Sequence, residues 1–167
     1  MAEARWTTRT PIPGQSLTRE GLRVDCRTEP HAALVSGDLA AATRQLALGA
    51  PKLGLLEPVQ ERTFFLRIAR DRALFCSESP IELEGWQDGY AISAADDLYL
   101  ELVIQGPRTA DLQAALIDAD PGSPSAATLV LGIPVLACTL PEGLSLRVPH
   151  PDAAALWAHL ADPMDRL

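Results

Sequence analysis

The sequence predicts an α+β protein made of two ferredoxin-like β-α-β-β-α halves, with antiparallel sheets and helices packed on one face. Three observations carry this. Apolar and polar residues alternate at period two in "LYLELVIQ" (98–105), as in a strand covered on one face. Apolar residues recur at helical spacing in "DLAAATRQLAL" (38–48) and "PRTADLQAALI" (107–117). The order of strand-like and helix-like segments also occurs twice.

The repeat is legible in landmarks. "ALVSGDLAAATRQL" aligns with "LVIQGPRTADLQAAL", which sets Gly37 against Gly106, 69 residues later. The turns at Asp71 and Glu142, the prolines Pro80 and Pro151, and the tryptophans Trp86 and Trp157 are each 71 apart. A steady offset across four landmarks marks an internal duplication. The expected organisation is a flexible N-terminal arm over 1–20 and a single domain over 21–167, with repeats at about 21–95 and 96–167.

Taken in order, "GLRVDCR" (21–27) and "HAALVSG" (31–37) read as short strands. Asp38 is placed to cap the helix that follows, with Leu39, Ala42 and Leu46 on one face and Gly49, Pro51 and Gly54 ending it. Residues 63–69 and 73–76 flank the turn Arg70-Asp71-Arg72 as a hairpin. "SPIELEGW" (79–86) opens with Ser and Pro, a helix-start pattern. Residues 88–97 read as turn, short strand and acidic loop.

In the second half, the strand at 98–105 leads to a helix with Leu112, Ala115 and Leu116 on one face. A loop, "DADPGSPSAA", follows. Residues 133–140 and 144–150 flank "PEG" as another hairpin. A final helix carries Ala153, Leu156, Trp157 and Leu160 at i, i+3, i+4 and i+7. Both Trp86 and Trp157 are expected to anchor the core from the inner faces of their helices.

Composition narrows the function classes. Acidic residues outnumber basic ones by 22 to 14, for a net charge of −8. That balance argues against nucleic acid and against an anionic membrane surface, because both are bound by basic faces. No apolar run approaches the roughly 20 residues that span a bilayer. The start of the chain lacks the apolar core of a signal peptide, so the expected location is cytoplasmic. Cys26, Cys76 and Cys138 are far apart, with no C-x-x-C, and are expected to be buried, reduced thiols. Lys52, the only lysine, lies in a loop-like "GAPKLG" and is a poor Schiff-base candidate.

The chemistry-bearing residues form no catalytic constellation and no metal set. Asp96-Asp97 are adjacent, point apart, and are expected to cap or face solvent. His31, His150 and His159 lack metal-ligand spacing. Gly106-Pro107-Arg108 stands at a strand-to-helix corner, where backbone N–H groups and a guanidinium could hold an anion. Pro107 removes one of those donors, and Gly37 marks the same corner in the other half. The corner therefore reads first as a turn, with Gly106 and Arg108 kept as candidate cofactor-binding residues in an alternative reading.

"LELVIQGPRTADLQAAL", followed by "LGIPVLACTLPEGLSLRVPHPDAAALWAHL", resembles the gamma subunit of heterotetrameric sarcosine oxidase. The resemblance rests on Gly106-Pro107-Arg108, the turn at Glu142-Gly143, Val148-Pro149 and Leu156-Trp157, and more faintly on "ALVSGDLAAA" and "RALFCSESP". It spans roughly 30–162, and its motifs are those of a fold rather than of a reaction. The wider superfamily contains aminomethyltransferases and folate-binding domains.

The resemblance implies a non-catalytic structural subunit held by larger flavin-binding subunits. That assembly would demethylate sarcosine or a related N-methyl amino acid, with FAD, FMN, NAD and tetrahydrofolate bound by the partner subunits and none by this chain. The alternative is a small tetrahydrofolate- or anion-binding domain.

Overall fold

A computed structural model describes residues 10–19, 21–28, 31–120 and 122–161. The elements of the first part are β1 (Ser16–Arg19), β2 (Leu22–Thr28), β3 (Ala32–Gly37), α1 (Leu39–Leu46), β4 (Lys52–Leu53), β5 (Phe64–Ala69) and β6 (Arg72–Cys76). Next come β7 (Gly85–Trp86), β8 (Tyr90–Ala94), β9 (Tyr99–Gln105), α2 (Thr109–Leu116), β10 (Ala127–Val130), β11 (Ile133–Leu140) and β12 (Gly143–Pro149). A short 3-10 turn at His150–Asp152 leads into α3 (Ala153–Ala161).

The strands form two six-stranded sheets, with orders β1-β2-β9-β12-β11-β10 and β4-β5-β6-β3-β8-β7. All pairings are antiparallel except β4 with β5. The α+β class read from the sequence is what the chain adopts.

Alternation along the strands gives each sheet two buried faces, and three apolar clusters fill the space. The outer face of the first sheet order, through Val24, Leu102, Ile104, Leu146 and Val148, packs against Leu112 and Leu116 of α2 and Leu156 and Leu160 of α3. The outer face of the other sheet, through Ala33, Val35, Phe65 and Phe75, packs against Leu39 and Ala42 of α1. Between the sheets, Ala32, Leu66, Leu74 and Cys76 meet Leu136 and Cys138. The layers therefore run helix, sheet, sheet, helix. A fully buried leucine contributes about 1.5–3 kcal/mol, so α3 is held chiefly by Leu156 and Leu160.

Two strand pairs share a register. In one half Ala33 faces Phe75 and Val35 faces Ala73, and in the other Leu102 faces Leu146 and Ile104 faces Leu144. The outer hairpins, however, come from different places along the chain. β2 pairs with β9, whereas β8 pairs with β3. One sheet is thus built from the single stretch 32–94, whereas the other takes its β-α-β-β-β core from 99–149 and its outer hairpin from 16–28. Leu22–Thr28, counted with the first repeat by sequence, lies in the sheet of the second.

Near the join, Gly54 and Ser123, again 69 apart, meet where the Leu55 N–H donates to the Ser123 carbonyl. Close by, the segment 54–59 bonds along β11, with the Val59 N–H donating to the Thr139 carbonyl. The Ala126 N–H donates in return to the Arg67 carbonyl of β5.

Three expectations are corrected. Residues 79–84 form no helix and run extended into β7. Their apolar residues, Ile81 and Leu83, stand at i, i+2, so an extended chain is what turns both onto the α1 side of the core. Trp86 consequently lies on an edge strand and is 80% exposed, while Trp157 packs half-buried against the core. The arm expected over 1–20 already contains β1, whose hydroxyl Ser16 Oγ donates to Asp25 at 2.6 Å. Residues 1–9 and 20 lie outside the described residues.

Candidate functional site

The two glycine corners can be compared atom by atom. Gly37 has φ +116, and a Cβ there would meet the Gly89 carbonyl oxygen at 2.6 Å and Tyr90 Cα at 2.9 Å. Gly106 has φ +125, and a Cβ there would overlap the Gly21 carbonyl oxygen and come within 3.3 Å of Leu22 Cα. Both glycines are required by a positive φ and by the backbone of the adjoining outer hairpin pressing on the corner. At the first corner the Asp38 N–H donates to the Gly89 carbonyl at 2.9 Å. Pro107 has no N–H to make the equivalent bond.

The corner at Gly106 is therefore filled by Gly21. Arg108 stands at the N-cap of α2 with no side-chain cap hydrogen bond, ion-pairs with Asp111 of that helix at 3.9 Å, and runs its aliphatic stem past Gly21. Gly106 and Arg108 both pack against Gly21.

A cleft of about 690 Å³ opens at the other corner, lined by Lys52, Arg67 and Arg70 with Asp38 and Asp71. Arg67 Nε is buried there without a hydrogen-bond partner. Two of the leading N–H groups of α1 are already taken, since Asp38 accepts from Ala40 at 2.8 Å and Ala41 at 3.0 Å. Those two backbone bonds hold the Asp38 carboxyl below its ordinary range.

The most concentrated polar chemistry lies between the sheets. On β12 and β9, Arg147, Ser145 and Glu101 point inward and are buried. Ser145 Oγ donates to Glu101 Oε1 at 2.7 Å, and Arg147 Nη2 lies 3.1 Å from the same oxygen. Arg147 Nη1 donates to Ser145 Oγ at 3.0 Å and to Cys138 Sγ at 3.3 Å. Its guanidinium carbon sits 5.4 Å from the centre of the Phe64 ring on the facing sheet, a cation–π distance. Burial pushes the Cys138 thiol up, and the Arg147 charge offsets this only in part. The thiol is thus kept protonated.

Arg147 and Glu101 form the inner wall of a cleft of about 660 Å³, within the size range of small-ligand sites. Its mouth carries His31 and the ion pairs Arg27–Glu142 at 2.9 Å and Arg62–Glu78 at 2.8 Å. Hydrogen bonding from Arg27 holds the Glu142 carboxyl below its ordinary range. Chemically the cluster is a brace: charges matched across two strands, aimed at an aromatic ring of the other sheet, with a protonated thiol at its base.

The sequence reading missed Glu101, Ser145 and Arg147. An arginine two residues from a serine within the apolar "LSLRVP", opposite a glutamate in "LYLELVIQ", was the available signal. Among the described residues no group of three His, Cys, Asp or Glu is placed to hold a metal ion. His150 and His159 are exposed at the start and end of the C-terminal helical segment. Asp96 accepts from the Ala32 N–H at 2.7 Å, which ties its loop to β3. No described helix is long and apolar enough to cross a membrane.

In comparisons with known proteins, no protein-family model matches the chain and no curated protein matches it. Among solved structures, it is similar to a chain of heterotetrameric sarcosine oxidase from Corynebacterium sp. U-96, solved in complex with pyrrole 2-carboxylate. The TM-score is 0.66 at 19% identity, over 86% of this chain and 85% of that one. The likeness is one of fold, and it runs through nearly the whole of both chains.

Proposed function

We propose that this chain is a structural subunit of a hetero-oligomeric, sarcosine oxidase-like flavoenzyme, corresponding to the gamma subunit. The observation that carries the reading is the shared fold, coextensive in the two chains, with a component of a heterotetramer. It agrees with the motifs at Gly106-Pro107-Arg108 and Leu156-Trp157. In this reading the larger subunits bind FAD, FMN, NAD and tetrahydrofolate and oxidatively demethylate sarcosine or a related N-methyl amino acid in the cytoplasm. This chain contributes a rigid double sheet and no reacting group.

The buried brace supports a scaffold role, because Arg147, Glu101 and Ser145 satisfy one another instead of presenting free donors to a ligand. The tetrahydrofolate- or anion-binding alternative would draw on Gly106 and Arg108. It ranks second because the Gly21 backbone occupies that corner. Titrating the chain with tetrahydrofolate should give no saturable binding that Arg108→Ala weakens.

The test is recovery of the full chain, gently purified from its native host. It should elute in an assembly far larger than its own 17.9 kDa and carrying flavin absorbance. Elution as a lone colourless monomer would overturn the reading.

A further inference from the structure

The two sheets have four edge strands, β1, β10, β4 and β7. Exposed edges invite pairing with other chains, and proteins usually blunt them with charge, proline or brevity. Three of the four follow that practice. β1 includes Arg19, β4 is two residues long and includes Lys52, and β7 is two residues long with Glu84 before it and Asp88 shortly after. β10 does not. The sequence contains no charged residue and no histidine between Asp120 and Glu142, in a chain that is 22% charged.

The register shows what that edge offers. Ala127 faces Leu136, Thr128 faces Val135, Leu129 faces Pro134 and Val130 faces Ile133. The Ala137 N–H donates to the Ala126 carbonyl, which fixes 126, 128 and 130 as the residues bonded to β11. Leu129 therefore turns both its N–H and its C=O outward, and Ala127 its C=O, the Ala127 N–H being donated to Ser125 Oγ at 3.2 Å.

Beside them the surface is apolar, with Leu129 61% and Leu131 46% exposed and Pro134 exposed. Leu131 adds a second observation. With φ 54 at Leu131 and φ 81 at Gly132, the β10–β11 link is a two-residue turn with both residues left-handed. Such turns favour Asn or Asp before Gly. Here a leucine accepts the unfavourable backbone and holds its side chain at an exposed tip.

We infer that the β10 edge, with the Leu129 and Leu131 side chains, is a docking surface for an uncharged extended segment of a larger partner subunit, which adds to the sheet as a seventh strand. This rests on the reading of the chain as a subunit. The occupant is uncharged because the patch has no charge to pair with one, and an unpaired charge buried at an interface is costly. It is not a second copy of this chain. Two copies would each bring a net charge of −8. A four-residue edge, about 13 Å long, also buries far less than the roughly 1,200 Å² that a stable dimer buries. A larger subunit can add contacts elsewhere while its strand main chain supplies the hydrogen bonds.

The experiment compares full-length tagged wild type, Leu129→Lys, Leu129→Pro and Trp86→Lys, each purified from the native host, by flavin absorbance recovered per mole of chain. Leu129→Pro removes an outward N–H that the β10–β11 ladder does not use, so it blocks strand addition without breaking that ladder. Both Leu129 variants should lose flavin recovery roughly tenfold or more. Trp86→Lys, on an edge of the other sheet, should stay near wild type.

Leu129 variants that melt and recover flavin like wild type would overturn the docking surface and leave the subunit reading standing. Wild type that recovers no flavin would overturn the subunit reading and the surface with it. A homodimer of the purified wild type that Leu129→Lys dissolves would show that a second copy covers the edge, and would overturn the assignment to a partner.

Discussion

Cys76 on β6 and Arg147 on β12 hold equivalent places in the two sheets, each directly across from its partner strand. Cys76 faces Ala32, whereas Arg147 faces Glu101. Two residues back, Leu74 corresponds to Ser145. One half thus presents an apolar surface to the space between the sheets, and the other presents a buried ion network. The backbone plan is shared, so the network is not a requirement of the fold. A buried, mutually satisfied pair contributes little net stability over apolar packing, but half of it left alone is costly. The comparison teaches that the second half carries a feature that serves specificity more than stability: Arg147 sets its guanidinium over Phe64 of the other sheet.

The largest expected effect breaks that network from one side. Arg147→Ala should destabilise the chain by about 3–5 kcal/mol in urea unfolding, because Glu101 is left buried without its partner. Replacing both Arg147 and Glu101 by Met should come within about 1 kcal/mol of wild type or above it. An equal loss in the double variant would show that the charges themselves hold the sheets together.

The glycine corners come next. Ala at Gly37 or Gly106 should each cost on the order of 2–3 kcal/mol by thermal melting, since both combine positive φ with a backbone collision. If Gly106→Ala were neutral, the equivalence of the corners would be lost.

The helix starts differ more mildly. Asp38→Ala, which removes the cap of α1, should lower the melting temperature by about 2–4 °C. Arg108→Ala, at the uncapped start of α2, should shift it by about 1 °C at most.

The smallest effect concerns acid. Burial raises the Asp25 carboxyl, but hydrogen bonds from Ser16, Arg23 and Gln105 and the Arg23 charge outweigh it and hold the pKa below the ordinary 3.8. A lowered folded pKa means that this stabilisation is complete above 3.8 and is lost as the pH falls through the folded value. Asp25→Asn should therefore flatten the acid end of the stability curve and leave its slope near neutrality unchanged.

Much of the fold was legible where local chemistry decides. Gly37 and Gly106, the turns at Asp71 and Glu142, and the Asp38 cap all stand where the residues place them. What stayed hidden depends on which surface covers which. The alternation in "LYLELVIQ" marks two faces of a strand, yet nothing local says that the face with Glu101 meets a second sheet instead of water. The pairing of β2 with β9 was hidden for the same reason, because the two strands lie far apart along the chain. In "SPIELEGW" the Ser-Pro start outweighed the i, i+2 spacing of Ile81 and Leu83, and the spacing was the better guide. Of the candidate site residues, Gly106 was readable as a turn, whereas the brace needed three residues on two distant strands.

The account's central claim is that the second half, which alone carries the uncharged β10–β11 hairpin, is the half turned toward a partner. Amide hydrogen exchange on the free chain and on the flavin-containing assembly tests this most directly. Slower exchange in the assembly at Leu129, with β7 of the first half unchanged, is the predicted result. Unchanged exchange along β10 with new protection at Gly85 and Trp86 would contradict it.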